Sequence, residues 1–135
     1  MAKKVAVVDG SNVAYLELSQ NNKPQIENLQ KVSKKLESEG YKAIVIIDAS
    51  LQHEVDDPEL LDELEDTGFL HQAPAGTDAD YFIVETADRK NGIIVSNDTY
   101  EEYEEDYDWL PRRRVPLMIV EGEVELYTEK KGLLK

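Results

Sequence analysis

The 135-residue sequence contains no cysteine, which excludes disulfide bonds and any metal site built from thiolates. It also lacks long apolar runs, since no stretch approaches the roughly 18 consecutive apolar residues of a transmembrane helix. A secretory signal peptide is not expected, because the apolar part of the N-terminal sequence is short and ends at a charged residue (MAKKVAVVDG). We therefore expect a cytoplasmic protein without a membrane partner.

Basic residues are scarce as well: 15 Lys and Arg stand against 29 Asp and Glu, which gives a net charge of −14. This balance argues against nucleic-acid binding, because neutralisation of phosphates supplies most of the affinity of a nonspecific binder. It favours a solvated acidic surface. A polarised surface stays open as an alternative, because the basic residues are clustered. The clusters are Lys31 with Lys34 and Lys35, Arg89 with Lys90, and Arg112 with Arg113 and Arg114.

The motifs of common nucleotide-binding sites are missing. The sequence has no GxxxxGK(S/T) loop and no GxGxxG after its first strand, which disfavours P-loop and dinucleotide-binding folds. A serine nucleophile at Ser11 or Ser96 would lack a histidine base placed by a motif. The two histidines, His53 and His71, are expected at the surface or at strand ends rather than as metal ligands.

Apolar segments typical of strands alternate along the chain with amphipathic segments typical of helices. Strands are predicted at residues 4–8, 43–47, 69–72, 92–96 and 115–120, and a further strand at 124–127 would close a C-terminal hairpin. Helices are predicted at residues 24–40, 57–68, 77–91 and 97–108. This order predicts an α/β fold in which a mostly parallel sheet of about five strands carries helices on both faces. One domain over residues 1–128 would precede a flexible tail at 129–135.

Acidic residues stand where three of these segments meet one edge of the predicted sheet. Asp9 and Asp98 follow the first and fourth strands, and Asp80 lies in the first turn of the helix after the third strand. The carboxyl ends of parallel strands share an edge, where α/β proteins bind ligands. Each acid alone is explained as a helix cap or turn residue. Together, ionised carboxylates repel one another and must either protonate or hold a cation.

The available ligands are all oxygen atoms, and such a set selects a hard cation, Mg²⁺ or Mn²⁺. An under-filled site of this kind keeps water on the ion and suits metal-assisted hydrolysis of phosphodiesters. Asp48 also ends an apolar strand, at 43–47, and is a further candidate at the same edge.

Several segments resemble the NYN branch of the PIN-like ribonucleases, in particular the Regnase (MCPIP-type) subgroup. The opening segment VVDGSNVA at 7–14 is similar to the first motif of this subgroup, and DYFIV at 80–84 and GIIVSNDTY at 92–100 are similar to its central and fourth-strand motifs. The segment VIIDASLQH at 45–53 resembles the second strand of prokaryotic, stand-alone members. The likeness covers nearly the whole chain and implies a three-layer α/β/α PIN-like sandwich.

The resemblance implies an endoribonuclease that hydrolyses single-stranded or loop RNA with Mg²⁺ or Mn²⁺. By position, Asp9, Asp80 and Asp98 would be the metal ligands, and Asn12 would orient Asp9 or a water. Glu102 falls where the family has another acid, and it would share a helix face with Asp98.

The chain departs from the family pattern in two places. Ala79 replaces the first of two paired acids, and Asp78 stands one position earlier as a candidate substitute. The CCCH zinc finger of eukaryotic relatives is excluded by the absence of cysteine. The choice of substrate would therefore depend on this domain or on a partner.

Candidate substrate contacts surround these acids in the sequence. The hydroxyl groups of Ser11, Ser96 and Thr99 are candidates to bond the carboxylates or a phosphate. The arginines at 112–114, beside Trp109, are candidates to bind phosphate and stack a base, although Trp109 is better explained as a core residue. The acidic run at 101–108 is best explained as a solvated helix face. It could also restrain RNA entry or bind a second copy or another protein.

Two other functions remain open. A binding module could use the acids to hold a structural cation while cleaving RNA weakly, and the charge of −14 favours this alternative. A phosphatase of small phosphate esters would share the acids but lacks a recognisable nucleophile motif.

Overall fold

The computed structural model describes residues 3–128, and the predicted flexible tail at 129–135 lies outside the described residues. Within this range, no helix is both long enough and apolar enough to cross a lipid bilayer.

A five-stranded, all-parallel sheet forms the centre of the protein. Its strands are β1 (Lys4–Asp9), β2 (Tyr41–Ile47), β3 (Leu70–Gln72), β4 (Ile93–Val95) and β5 (Arg114–Val115). Their order in space is β3-β2-β1-β4-β5. The predicted parallel α/β sheet is therefore confirmed, and β1 lies at its centre because its run of Val and Ala is apolar on both faces.

Helices cover both faces of this sheet. The helices are α1 (Gly10–Ala14), α2 (Ile26–Ser38), α3 (Pro58–Asp66), α4 (Ala79–Lys90) and α5 (Leu110–Arg113). Side chains alternate along β1, so Val8 packs in a core with α1, α2 and α3, whereas Val7 packs in a second core with Ile83 and Val84 of α4. These two cores confirm the predicted three-layer sandwich.

The predicted fifth strand at 115–120 is in fact divided between two sheets. β5 ends the main sheet, Pro116 interrupts the run, and β6 (Leu117–Val120) pairs antiparallel with β7 (Glu123–Leu126). Proline has no backbone N–H to donate and therefore breaks a ladder of hydrogen bonds. The predicted C-terminal hairpin is confirmed, and its turn at Glu121–Gly122 has positive φ at both residues.

The predicted helix at 97–108 is wrong. This segment consists of turns around one short 3-10 helix, Glu101–Tyr103. Two local features prevent an α-helix here: the Asp98 side chain accepts a hydrogen bond from the Tyr100 backbone, and Tyr100 has a φ of 55°. Asp98 and Glu102 consequently do not share a helix face.

A short helix, α1, starts where the sequence predicted only a turn. Asp9 caps it by accepting a hydrogen bond from the Asn12 backbone. Gly10 allows the helix to begin against β2, because a Cβ atom there would lie 2.5 Å from Ile47 Cγ2 and 3.0 Å from the Ile46 carbonyl oxygen. Helix α5 and a 3-10 helix at Ala49–His53 were also not predicted.

Candidate active site

The predicted acidic cluster lies at the carboxyl edge of the sheet, where the strand order reverses. β2 and β3 extend from β1 to one side, and β4 and β5 extend to the other. Asp9 ends β1, and Asp98 follows β4, so these acids flank the crevice between the two halves. Such a switch point is the usual ligand site of an open α/β sheet.

Asp9 is the most constrained acid of the cluster, with only 6% of its surface exposed. Its Oδ2 atom accepts hydrogen bonds from the Tyr100 hydroxyl at 2.5 Å and the Ser96 hydroxyl at 2.9 Å, and Oδ1 accepts from the Asn12 backbone at 3.3 Å. Burial raises the pKa of Asp9, while the bonds from Tyr100, Ser96 and Asn12 lower it, and the Asp98 charge raises it further. Three bonds leave the carboxylate with capacity for one more partner, which fits a metal ligand.

A second set of bonds fixes the ends of β1 and β4 relative to each other. The Asn12 Oδ1 atom accepts a bond from the Asn97 backbone at 3.1 Å, and the Asn97 side chain bonds both the N–H and the carbonyl of Leu117. The Ser96 hydroxyl, which donates to Asp9, accepts from the Asp98 backbone at 3.0 Å. The turn carrying Asp98 is thereby joined to the strand end carrying Asp9.

Asp80 shows the electrostatic character of the cluster. It is half-buried in the first turn of α4, and its pKa is raised to about 7. Burial is the largest cause, followed by the negative charges of Asp9, Asp98, Asp78 and Glu102. The fold therefore brings these five acids close enough for their charges to interact, although the predicted helix at 97–108 does not form.

The donor set of this cluster fits a hard divalent cation, but only as an open site. Among residues 3–128, no group of three or more acidic or histidine side chains is arranged to enclose a metal ion directly. Mg²⁺ commonly binds through one or two carboxylates and keeps several waters, so it does not need such an enclosure. Carboxylates that raise one another's pKa are also the groups that a cation would relieve.

The other residues that were predicted to contact the substrate differ in their exposure to solvent. Ser96 is fully buried and donates to Asp9, so of its two predicted roles the structure shows the bond to a carboxylate, and its burial leaves no access for a phosphate. Ser11 is half-buried and accepts a bond from the backbone of Asp48 at 2.9 Å. Thr99 and Glu102 are exposed beside Asp98 at the rim of the cluster.

Asp78 caps α4 and accepts hydrogen bonds from the Asp80 backbone at 3.0 Å and from the Tyr103 hydroxyl at 2.6 Å. It therefore orients the first turn of α4, which carries Asp80. Asp48 is exposed at the end of β2.

The three arginines at 112–114 do not gather at the acidic cluster. Arg112 and Arg114 line a cleft of about 520 Å³ with Lys4 and Tyr41, near the starts of β1 and β2. Arg114 also donates to the Ser96 carbonyl at 3.3 Å. Arg113 is occupied by contacts within the protein, because its guanidinium lies 3.8 Å above the ring of Trp109.

Arg113 bonds the Gly92 and Ala87 carbonyls and the Asn91 side chain, all near the carboxyl end of α4. These contacts hold the Arg113 guanidinium against the end of α4. Trp109 is 8% exposed, as expected for a core residue, and its indole N–H donates to Asp88.

Arg113→Ala is expected to destabilise the protein by about 1–3 kcal/mol, because two carbonyls and the face of Trp109 lose their partner. Arg112→Ala is the matched control, since Arg112 is exposed and its loss should change the free energy of unfolding by less than about 0.5 kcal/mol. Urea unfolding of both variants measures the difference. Equal stabilities would show that the Arg113 contacts contribute nothing.

Tyr100 is the functional-site residue that sequence reasoning missed. It is 2% exposed and donates to Asp9 across 91 residues of sequence. Burial and the neighbouring Asp9 charge raise its pKa far above the ordinary tyrosine value, so it stays a donor. Its place in the segment SNDTY, two residues after Asp98, was the available indication.

The parallel sheet, the three layers and the acids at the switch point define a PIN-like α/β domain with an acidic cleft. Residues 2–132 match the family described as Zc3h12a-like ribonuclease NYN domain. The chain belongs to this family, and the resemblance inferred from its motifs is confirmed. No curated protein matches the chain significantly.

Solved structures support the same fold. A crystal structure of nuclear proteinaceous RNase P 2 (PRORP2) from A. thaliana matches with a TM-score of 0.71 and 20% identity, over 91% of this chain and 29% of that one. A second structure, Arabidopsis thaliana nuclear protein-only RNase P 2, matches with a TM-score of 0.72 and 19% identity, over 94% and 30%. This chain thus spans under a third of either relative, and the likeness concerns the fold.

Proposed function

We propose that this protein is an endoribonuclease that hydrolyses phosphodiester bonds of single-stranded or loop RNA with Mg²⁺ or Mn²⁺ at the acidic cluster. The observation that carries the proposal is the convergence of Asp9, Asp80 and Asp98 at the carboxyl edge of the sheet, and the raised pKa of Asp80, about 7, agrees with it. A fold that gathers carboxylates at a ligand-binding edge, within a ribonuclease family, is best explained by a cation that they share.

Asp9, Asp80 and Asp98 would hold the cation between them, one or two by direct contact and the rest through its waters, and Glu102 would add negative charge at the rim. The cation would neutralise charge on the phosphate and lower the pKa of water. Asp9 is the fixed member of the set, because Tyr100 and Ser96 hold one of its oxygens. Asp98 is exposed and therefore accessible to a substrate phosphate and its ion.

The cation would also explain how a protein with a net charge of −14 can bind RNA, since this charge by itself repels the phosphates. A divalent cation at the cluster would offset part of the negative charge and offer a phosphate oxygen a position on the ion itself. RNA binding should then depend on the cation as strongly as cleavage does. Arg112 and Arg114 remain available for phosphate contacts outside the cluster, whereas Arg113 is held by Trp109 and backbone carbonyls.

The second candidate is a binding module whose acids hold a structural cation, and the net charge favours it. The two candidates differ in what happens to the RNA. The module would bind RNA or a protein with the cation and leave RNA intact, whereas the nuclease would cleave RNA and cease to do so when the cation is removed.

Replacement of a single ribose by 2′-deoxyribose at the mapped cleavage position tests how the bond is broken. Cleavage by the ribose 2′-hydroxyl would need a general base, for which histidine is the commonest residue. Neither His53, exposed on its 3-10 helix, nor His71, on β3, lies within the acidic segments. With water as the nucleophile, we expect the deoxy-substituted RNA to be cut at a rate within about tenfold of the parent, and the parent RNA to be left with a linear rather than a cyclic phosphate end. Complete protection by the deoxy substitution, with a cyclic phosphate end on the parent RNA, would contradict hydrolysis by water.

A further inference from the structure

An apolar groove adjoins the acidic cluster on the α4 face of the sheet. Its floor consists of Ile44 and Ile46 of β2 and His71 of β3, and its wall consists of Phe82 and Thr86 of α4. We call it the β2–β3 groove. It lies at the edge of the second core, which includes Ile46 and packs against Ile44 but contains no residue of β3. Ile44 and Phe82 therefore remain only half-buried.

The groove lies one strand away from the end of β1, which carries Asp9. Ile46, on its floor, is the direct register partner of Asp9 on the neighbouring strand. Adjacent strands lie about 4.8 Å apart, so the end of the groove is one strand spacing from Asp9. Helix α4, which supplies Phe82 to the wall, also carries Asp80 in its first turn. A ligand with one group at the acids can therefore place its next group in the groove.

The size and surface of the groove select the occupant. Its volume is about 210 Å³, which is below the 300–1,000 Å³ of pockets for drug-sized molecules and suits a single ring system. The surface is mainly apolar, with the polar side chains of His71, Gln72 and Thr86 around it. The Phe82 ring is held edge-to-face by Tyr81 at a centroid distance of 5.4 Å. These features fit a flat ring with polar edges.

We propose that the β2–β3 groove binds one nucleobase, that of the nucleotide whose phosphate lies at the acidic cluster. This inference rests on the proposed function for the nature of the phosphate-bearing ligand. A flat heteroaromatic ring next to an anion is the chemistry of a nucleotide, and aromatic side chains stack bases without regard to sequence. The groove therefore sets which phosphate of the RNA is positioned at Asp9 and Asp80.

The test uses adenosine 5′-monophosphate, which contains a base and a phosphate but no phosphodiester to cleave. Its affinity is compared with that of ribose 5-phosphate, which lacks the base, by calorimetry with Mg²⁺ present. We expect the nucleotide to bind at least about fivefold more tightly to the unmodified protein. Phe82→Leu, which removes the ring but keeps an apolar side chain, should reduce this difference to less than about twofold.

Two further variants separate the groove from its surroundings. Thr86→Phe should fill the groove and abolish the preference for the base without removing a core contact. Tyr15→Leu is the control: Tyr15 is 47% exposed and does not line the groove, so its loss should leave a preference of more than about threefold. If Phe82→Leu unfolds the protein, the effect of Thr86→Phe on the preference for the base tests the proposal by itself.

The outcomes distinguish this inference from the proposed function. A preference for the base in a protein that never cuts RNA would support the groove and contradict the nuclease. Equal affinities of the two ligands, or no binding of either, would overturn the groove even if RNA is cleaved. The groove could instead bind a second copy of the protein. If the protein is a dimer that Thr86→Phe dissociates, while the preference for the base is unchanged, the proposed base site would also be overturned.

Discussion

Asp80→Asn is expected to make the metal-free protein more stable at pH 8 while lowering RNA cleavage by about a hundredfold or more. The neutral amide removes a carboxylate that is half-buried among Asp9, Asp98, Asp78 and Glu102. The same change removes one of the ligands proposed for the cation, and the loss of one well-placed electrostatic group typically costs about 10²–10³ in rate. Stability and function therefore change in opposite directions at this position.

The pH dependence of this effect follows from the raised pKa of Asp80. Its carboxyl takes up a proton at about pH 7 when folded and at about 3.8 when unfolded. The folded state holds more protons between these values, so the metal-free wild type loses stability as the pH rises from about 4 to 7. That loss then stays constant above pH 7.

The full difference in pKa corresponds to about 4 kcal/mol. Because Asp80 is only half-buried, solvent screening reduces this energy, and we expect a gain of about 1 kcal/mol for Asp80→Asn.

Thermal unfolding in EDTA at pH 5 and pH 8 measures this prediction. Asp80→Asn should exceed the wild type in Tm by several degrees at pH 8, and by less at pH 5. Mg²⁺ at pH 8 should raise the Tm of the wild type and not that of the variant. Glu59→Gln, at an exposed acid in the first turn of α3, is the control with the same change in charge. A destabilised Asp80→Asn protein in EDTA would contradict the electrostatic account.

Tyr100→Phe is expected to weaken cation binding by about 10- to 100-fold and to lower the free energy of unfolding by about 1–3 kcal/mol. The lost hydroxyl donates to Asp9 Oδ2 at 2.5 Å inside the protein. Residues that orient a metal ligand commonly contribute this much to metal affinity. A buried carboxylate that loses a donor keeps its cost of desolvation.

A pH profile distinguishes positioning of Asp9 from a general loss of structure. The bond from Tyr100 lowers the pKa of Asp9, so its removal should raise that pKa. The acidic limb of the rate profile in Tyr100→Phe should therefore move to higher pH. Tyr103→Phe is the matched control, because Tyr103 donates to the exposed Asp78 and not to Asp9. An unshifted profile in Tyr100→Phe, or an equal shift in Tyr103→Phe, would contradict the role of Tyr100.

Local sequence patterns predicted the sheet well because its strands are buried on both faces. The segments that became β1, β2 and β4 contain short continuous apolar runs rich in Val and Ile, which are too short for a typical helix and are followed by turn residues. The proximity of the acids at the strand ends could be predicted from the same strands, since a parallel topology brings their carboxyl ends to one edge of the sheet. The motif VDGSN also has a structural reason, because only glycine fits against β2 at position 10.

The errors arose where distant contacts or competing hydrogen bonds decide the local structure. The acidic run after Asp98 has the caps and composition of a helix, yet the Asp98 side chain bonds the Tyr100 backbone and starts a turn instead. The three adjacent arginines resembled a phosphate-binding patch. Arg113, however, contacts carbonyls at the end of α4, which lie 21 and 26 residues away in the sequence. Spacing alone could not show either result.

Cleavage of an end-labelled single-stranded RNA tests the central claim most directly, with Mn²⁺ alone and with Mn²⁺ plus excess EDTA, for the wild type and Asp9→Asn. Asp48→Asn is the matched control, since Asp48 directly follows the neighbouring strand but is exposed and is not among the acids that raise the pKa of Asp80. We predict cleavage by the wild type and Asp48→Asn with Mn²⁺, and none with EDTA or with Asp9→Asn. Undiminished cleavage in EDTA or by Asp9→Asn, or intact RNA with the wild type and Mn²⁺, would contradict the account.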